Sequence, residues 1–186
     1  MLRDLSVILV VDVESTGRSP SGDSAPATGD QEIIEIGIAS VDTGSLRIHQ
    51  LDDLLVKPSL PRNAALAQIS SSIPEQAAGG GLPFNEACRV IKRRYLAPDC
   101  TWASWTNCAR AQFERQCKIQ AVPYPFGHVH IDVSNLFALA HNLPEQLDII
   151  PALEYAKLPI EGATNRAHHT ARNVARLLIS ILERCR

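Results

Sequence analysis

Two carboxylates, Asp12 and Glu14, stand at the carboxyl end of an apolar segment and are separated by one residue. If that segment is a strand, its side chains alternate with period two, and both acids project from the same face. Like charges that close repel, so the pair needs solvent, basic partners or a divalent metal. A solvated strand end is the plainer reading of the dipeptide alone. His168 and His169 are a second candidate: with Asp12 and Glu14 they would make a nitrogen and oxygen site for a softer metal. Solvated histidines beside a helix N-terminus are the alternative. Basic residues are weighed the same way. Lys92, Arg93 and Arg94 read as a solvated helix face before they read as an RNA patch. Trp102, Trp105 and Phe84 could stack on bases, with core packing as their competing role.

The elements that must position these residues follow from hydrophobic periodicity. Residues 5–13 form an almost unbroken Val- and Ile-rich run, the pattern of a strand covered on both faces. Residues 18–30 collect Ser, Pro, Gly, Asp and Ala with no period and read as a surface loop. Ile33, Ile34, Ile36, Ile38 and Val41, then residues 46–56, predict two more strands, with Asp42-Thr43-Gly44-Ser45 as the hairpin turn. Phe84, Ala87, Cys88, Ile91 and Tyr95 keep the i, i+3, i+4, i+7 spacing of an amphipathic helix, opened by Gly79-Gly80-Gly81 and stopped before Pro98. A short strand at 100–104 and helices at 106–120, 133–141, 146–157 and 167–183 complete the order. The result is an α/β chain: three strands, a helix, a strand, then several helices.

Composition narrows the function classes. The chain has 186 residues, 45% of them hydrophobic, enough for one domain spanning 1–186 with a full core. A net charge of -2 excludes a protein held to nucleic acid by bulk charge, so any such contact must be a local site. No apolar run approaches the roughly 20 residues that span a bilayer. The five cysteines, Cys88, Cys100, Cys108, Cys117 and Cys185, include no Cys-x-x-Cys pair. That argues against a disulfide framework or structural zinc and leads us to expect a reducing cytoplasm and no membrane partner.

Several strings together resemble one family. Val-Val-Asp-Val-Glu-Ser-Thr at 10–16 and Gln-Glu-Ile-Ile-Glu-Ile-Gly at 31–37 are similar to the opening of the DEDDh 3'-5' exonucleases, in particular the KapD-like branch related to the histone-mRNA and siRNA exonucleases. Ser-Trp at 104–105, Gln-Phe-Glu-Arg-Gln-Cys at 112–117 and Val-Pro-Tyr-Pro-Phe-Gly at 122–127 continue the resemblance. So do Leu-Pro-Ile-Glu-Gly at 158–162 and Ala-Arg-Asn-Val-Ala-Arg-Leu-Leu at 171–178. It implies a ribonuclease-H-like fold, a mixed five-stranded sheet flanked by helices, and release of nucleoside monophosphates from a 3' end. It also implies two Mg2+ or Mn2+ ions about 4 Å apart, held by four carboxylates, with a histidine that helps deprotonate the attacking water.

Residue by residue, only part of that machinery carries over. Asp12 and Glu14 match the first two carboxylates. Where the family reads Ser-Trp-Gly-x-Tyr-Asp, this chain has Ser104-Trp105-Thr106-Asn107-Cys108-Ala109, so Ala109 takes the third carboxylate's place. In the last motif Asn165 falls at the catalytic histidine and Thr170 at the fourth carboxylate. Hard cations bind through carboxylate charge, so Asp12 and Glu14 alone predict weak metal binding or none. An asparagine amide cannot replace the base, since it does not titrate near neutral pH. The leading expectation is a pseudo-exonuclease without a cofactor that binds single-stranded RNA, DNA or a protein, with Ser15, Thr16, Arg110, Arg166 and Arg172 as nucleic-acid contacts. An active Mg2+- or Mn2+-dependent exonuclease with a rearranged site is the alternative. A protein-interaction module is the third reading.

Overall fold

The computed structural model describes residues 5–16, 31–59, 77 and 79–185; the loop expected at 18–30 lies outside them. The first apolar run forms β1 (Val7–Ser15), followed by β2 (Ile33–Asp42) and β3 (Arg47–Leu55). Then come α1 (Phe84–Arg94), β4 (Thr101–Ser104), α2 (Cys108–Ile119) and β5 (His130–Asp132). The chain continues through α3 (Val133–Ala140), α4 (Ile149–Tyr155) and α5 (Ala167–Arg184). The five strands form one sheet in the order β3-β2-β1-β4-β5. β2 runs antiparallel to both β1 and β3, whereas β4 runs parallel to β1 and β5 parallel to β4. This mixed five-stranded sheet with flanking helices is the architecture the resemblance implied.

Placing β1 in the middle follows from its sequence. Leu9, Val10 and Val11 are at most 1% exposed, because helices cover both faces. Leu9, Val11, Ile36, Ile38 and Trp102 pack with Phe84, Ile91, Phe113 and Cys117 from α1 and α2. On the opposite face Ile8, Val10, Ala39 and Val41 pack with Phe137, Leu153, Val174, Leu177, Leu178 and Ile181 from α3, α4 and α5. The period-two alternation of one strand thus feeds two cores, and Asp12 and Glu14 continue the α5-facing register of Ile8 and Val10.

Two contacts fix the elements nearest those acids. Gly37 lies under the start of α5 so closely that a Cβ there would stand 2.2 Å from the carbonyl carbon and oxygen of Ala167. Glycine is required here for approach, and it lets the helix N-terminus rest on the sheet. On the other face, buried Gln116 of α2 accepts the Ile33 backbone N–H through Oε1 at 2.8 Å, binding that helix to the entrance of β2.

Trp102, Trp105 and Phe84 are 0%, 5% and 3% exposed, so they are core residues and offer no surface for base stacking. Trp102 stacks on Phe126 with ring centroids 4.5 Å apart. Of the basic run on α1, Arg94 forms an ion pair with Asp52 at 3.0 Å, and Asp52 also accepts the Tyr95 hydroxyl. No helix of the described residues is long and apolar enough to cross a membrane.

Candidate nucleic-acid and metal site

Strand register sets the rows of side chains under α5. Asp12 of β1 pairs with Gly37 of β2, which pairs in turn with Asp53 of β3. One row further, Glu14 is directly opposite Glu35. Four acids therefore belong to one face of three adjacent strands, close to the start of α5, where the helix dipole favours negative charge.

The sequence separates these acids into two groups, and the structure treats them differently. Asp12 lines a small cavity of about 50 Å³ together with Val13, Ser104, Trp105, Thr106, Cys108, Ala109, Gln112 and Ile149, and Asp12 is the one carboxylate among them. Ala109, in the first turn of α2 and 5% exposed, presents only a methyl group to the space it shares with Asp12. Asn165 is exposed just before α5, and Thr170 lies half-buried within its first turn. Beyond the carboxylates of Asp12 and Glu14, the cavity and the two degenerate motifs add only neutral groups, from Ser104, Thr106, Cys108, Gln112, Asn165 and Thr170, with a methyl at 109, and these do not amount to the carboxylate-rich donor set that two hard divalent ions require. The implied pair of ions does not fit these residues.

The second group is a tight charged cluster around Glu35, which sequence reasoning did not single out. Glu35 is fully buried in β2. Its Oε1 accepts from Arg166 Nε at 2.8 Å and lies 3.1 Å from His168 Nδ1. Arg166 also donates from Nη2 to Asp53 Oδ2 at 2.6 Å, and that oxygen is 3.5 Å from His168 Nδ1. Burial, and then the neighbouring charge of Glu35, holds the Asp53 carboxyl above its usual range. Burial alone would lower Arg166, but Glu35 and Asp53 outweigh it and hold the guanidinium charged. A signal for this cluster was present in the strand pattern: Glu35 is an acid within Ile-Ile-Glu-Ile-Gly and shares the face of Gly37 two residues on. An acid sealed into a strand must find a partner.

The remaining candidates are distributed around these two groups. The pairing of His168 and His169 with Asp12 and Glu14 is replaced by another arrangement. His168 faces Glu35 and Asp53, while His169 accepts the Ala163 N–H at Nδ1, 2.9 Å away, and packs against Gly162. Burial, followed by the nearby His168, lowers the His169 pKa. Arg172 pairs with Glu161 at 2.6 Å, and Arg110 pairs with Glu114 at 2.8 Å on the surface of α2. Thr16 is buried and its hydroxyl oxygen accepts the Glu32 N–H at 2.9 Å, closing the end of the β1–β2 ladder. Ser15 follows a register shift at the tip of β1.

This fold occurs in solved nucleases. A full-length 3'-exonuclease superposes with a TM-score of 0.81 at 18% identity, covering 96% of this chain and 82% of that one. The nuclease domain of 3'hExo, a DEDDh family member bound to rAMP, gives 0.79 at 16% identity over 96% and 92%. A 3'-exonuclease that recognises the 3' end of the histone mRNA stem-loop gives 0.77 at 18%, over 96% and 82%. No protein-family model and no curated protein sequence matches the chain. The chain thus has the ribonuclease-H-like exonuclease fold, and its structural neighbours are DEDDh-family 3'-exonucleases.

Proposed function

We propose that the chain is a pseudo-exonuclease of the DEDDh type, a scaffold that binds single-stranded nucleic acid near a 3' end without metal-dependent hydrolysis. The observation that carries this reading is the cavity that Asp12 and Ala109 both line, where position 109 supplies a methyl group and no carboxylate. Among the described residues, one cluster brings three potential ligand atoms within 4.8 Å of one another. It consists of Glu35, Asp53 and His168 and includes neither Asp12 nor Glu14. Asn165 supplies no base. Nucleic-acid binding is favoured because two solved neighbours hold rAMP or recognise an RNA 3' end. The exposed Arg110–Glu114 pair has side chains 40% and 52% exposed, so Arg110 can exchange Glu114 for a phosphate at little cost.

The experiment uses end-labelled single-stranded RNA and DNA with Mg2+ or Mn2+. Expected are a salt-sensitive rise in fluorescence anisotropy on binding and no shortening above an Asp12→Asn control. Processive 3'-end shortening abolished by Asp12→Asn would instead establish the active exonuclease with a rearranged site. Absence of binding to either nucleic acid would favour a protein partner. Restoring Ala109→Asp, Asn165→His and Thr170→Asp together should recover Mn2+ binding and weak exonuclease activity, whereas each change alone should not, since the ligands act as a unit.

A further inference from the structure

The Glu35 cluster has the composition and spacing of a coordination site. Glu35 Oε1, Asp53 Oδ2 and His168 Nδ1 come from β2, β3 and α5, and His168 Nδ1 stands 3.1 Å and 3.5 Å from the two oxygens. A tetrahedral ion with bonds of about 2.0–2.1 Å places its ligands roughly 3.3 Å apart, between those two distances. The second oxygen of Glu35 is an independent sign. Oε2 is buried with no hydrogen-bond partner among the described residues, on a side chain that is itself 0% exposed. A buried carboxylate oxygen left unsatisfied is costly, and a cation bound through both oxygens would satisfy it.

We propose that Glu35, Asp53 and His168 form a binding site for a single first-row transition-metal ion of the Zn2+ class, with Arg166 as its resident competitor. One imidazole and two carboxylates suit a borderline ion better than Mg2+ or Ca2+, which prefer all-oxygen shells. The site is rigid, since α5 is pinned to the sheet at Gly37. Arg166 occupies the same two oxygens that the metal would take. Its side chain is 25% exposed, so the guanidinium has a way out to solvent when an ion enters. The ligands are separate from Asp12 and Ala109, so this site stands whether or not the neighbouring cavity hydrolyses nucleic acid.

The test is a titration of the untagged, chelator-treated 186-residue chain with Co2+, read by visible absorption and followed by displacement with Zn2+. Exposed Cys185 is changed to Ser beforehand to remove a surface thiol. Expected is one Co2+ per chain with imidazole and oxygen ligation and no thiolate-to-metal band. His168→Gln should weaken binding by on the order of tenfold or more, and Asp12→Asn should leave it unchanged. Arg166→Gln, which removes the competing cation and so raises the fraction of chains with free ligand oxygens, should strengthen binding by about tenfold. Stoichiometric binding retained in His168→Gln, or lost in Asp12→Asn, would overturn the assignment. So would the absence of binding in the wild type. If Arg166→Gln does not fold, the comparison of wild type with His168→Gln decides alone.

Discussion

Glu35 and Arg166 illustrate how one ion pair can be costly to form and still costlier to break. Arg166→Gln leaves the buried Glu35 carboxylate without its guanidinium and should destabilise the protein by about 2–4 kcal/mol, measured from urea midpoints. Replacing both, as Glu35→Leu with Arg166→Met, should recover most of that loss, because an apolar pair needs no compensation. His130 gives a second prediction at this scale. Its ring packs on Trp102 with centroids 4.2 Å apart, and Nε2 lies 2.8 Å from Ser104 Oγ. Burial, and then the charge of Arg110, pushes its pKa down to about 4. An unfolded histidine titrates near 6.5, so between those values the unfolded chain binds more protons. The contribution of His130 to stability is therefore complete above about pH 6.5 and lost as pH falls through about 4. Urea midpoints between about pH 7 and pH 4 should fall less steeply in His130→Gln than in the wild type. Why Asp12 was legible in the sequence and Glu35 was not is a matter of company. Both acids belong to strings that resemble a family, but the resemblance gives a chemical role only to Asp12, and the partners of Glu35 come from 18 residues downstream in β3 and from the distant start of α5. Strand register places Asp53 beside Glu35, and the seating of α5 on Gly37 adds His168.

Elements with a strong period could be read from the sequence. The apolar stripes of Phe84 to Ile91 and of Ala171 to Ile181 lie buried where the spacing put them. The turn after Asp42 closes as expected, with Asp42 accepting the Ser45 N–H at 2.6 Å and Leu46 in the left-handed region at φ 54°. β5 was not legible from periodicity, because three half-buried residues, His130, Ile131 and Asp132, show no alternation. Only the family resemblance implied a fifth strand. The helix expected at 146–157 is shorter, Ile149–Tyr155, with Asp148 as its N-cap residue. No single-sequence signal marks Gly37 as a contact point either. A Cβ there meets backbone, which cannot rotate away, so α5 must lift. Gly37→Ala should cost about 3 kcal/mol or more and lower the melting temperature, and it should also loosen the Glu35–Arg166 contact.

Across the whole molecule, the two groups of acids predict opposite responses to metal ions. Millimolar Mg2+ should shift the melting temperature by under about 1 °C, since a ligand stabilises the fold only in proportion to its occupancy. Differential scanning fluorimetry with wild type and Asp12→Asn checks this, and a shift of several degrees lost in the variant would mean that the first group is complete after all. The sheet imposes a further consequence through the order in which its cover arrives. Ile8, Val10, Ala39 and Val41 are made well before their packing partners Val174, Leu177, Leu178 and Ile181. During translation the part of this face that α5 covers stays exposed until residues beyond 167 have left the ribosome. A nascent chain stalled before Ala167 therefore exposes an oily surface to solvent and to other chains. Protease sensitivity of such stalled chains should persist until α5 emerges and then fall in a single step.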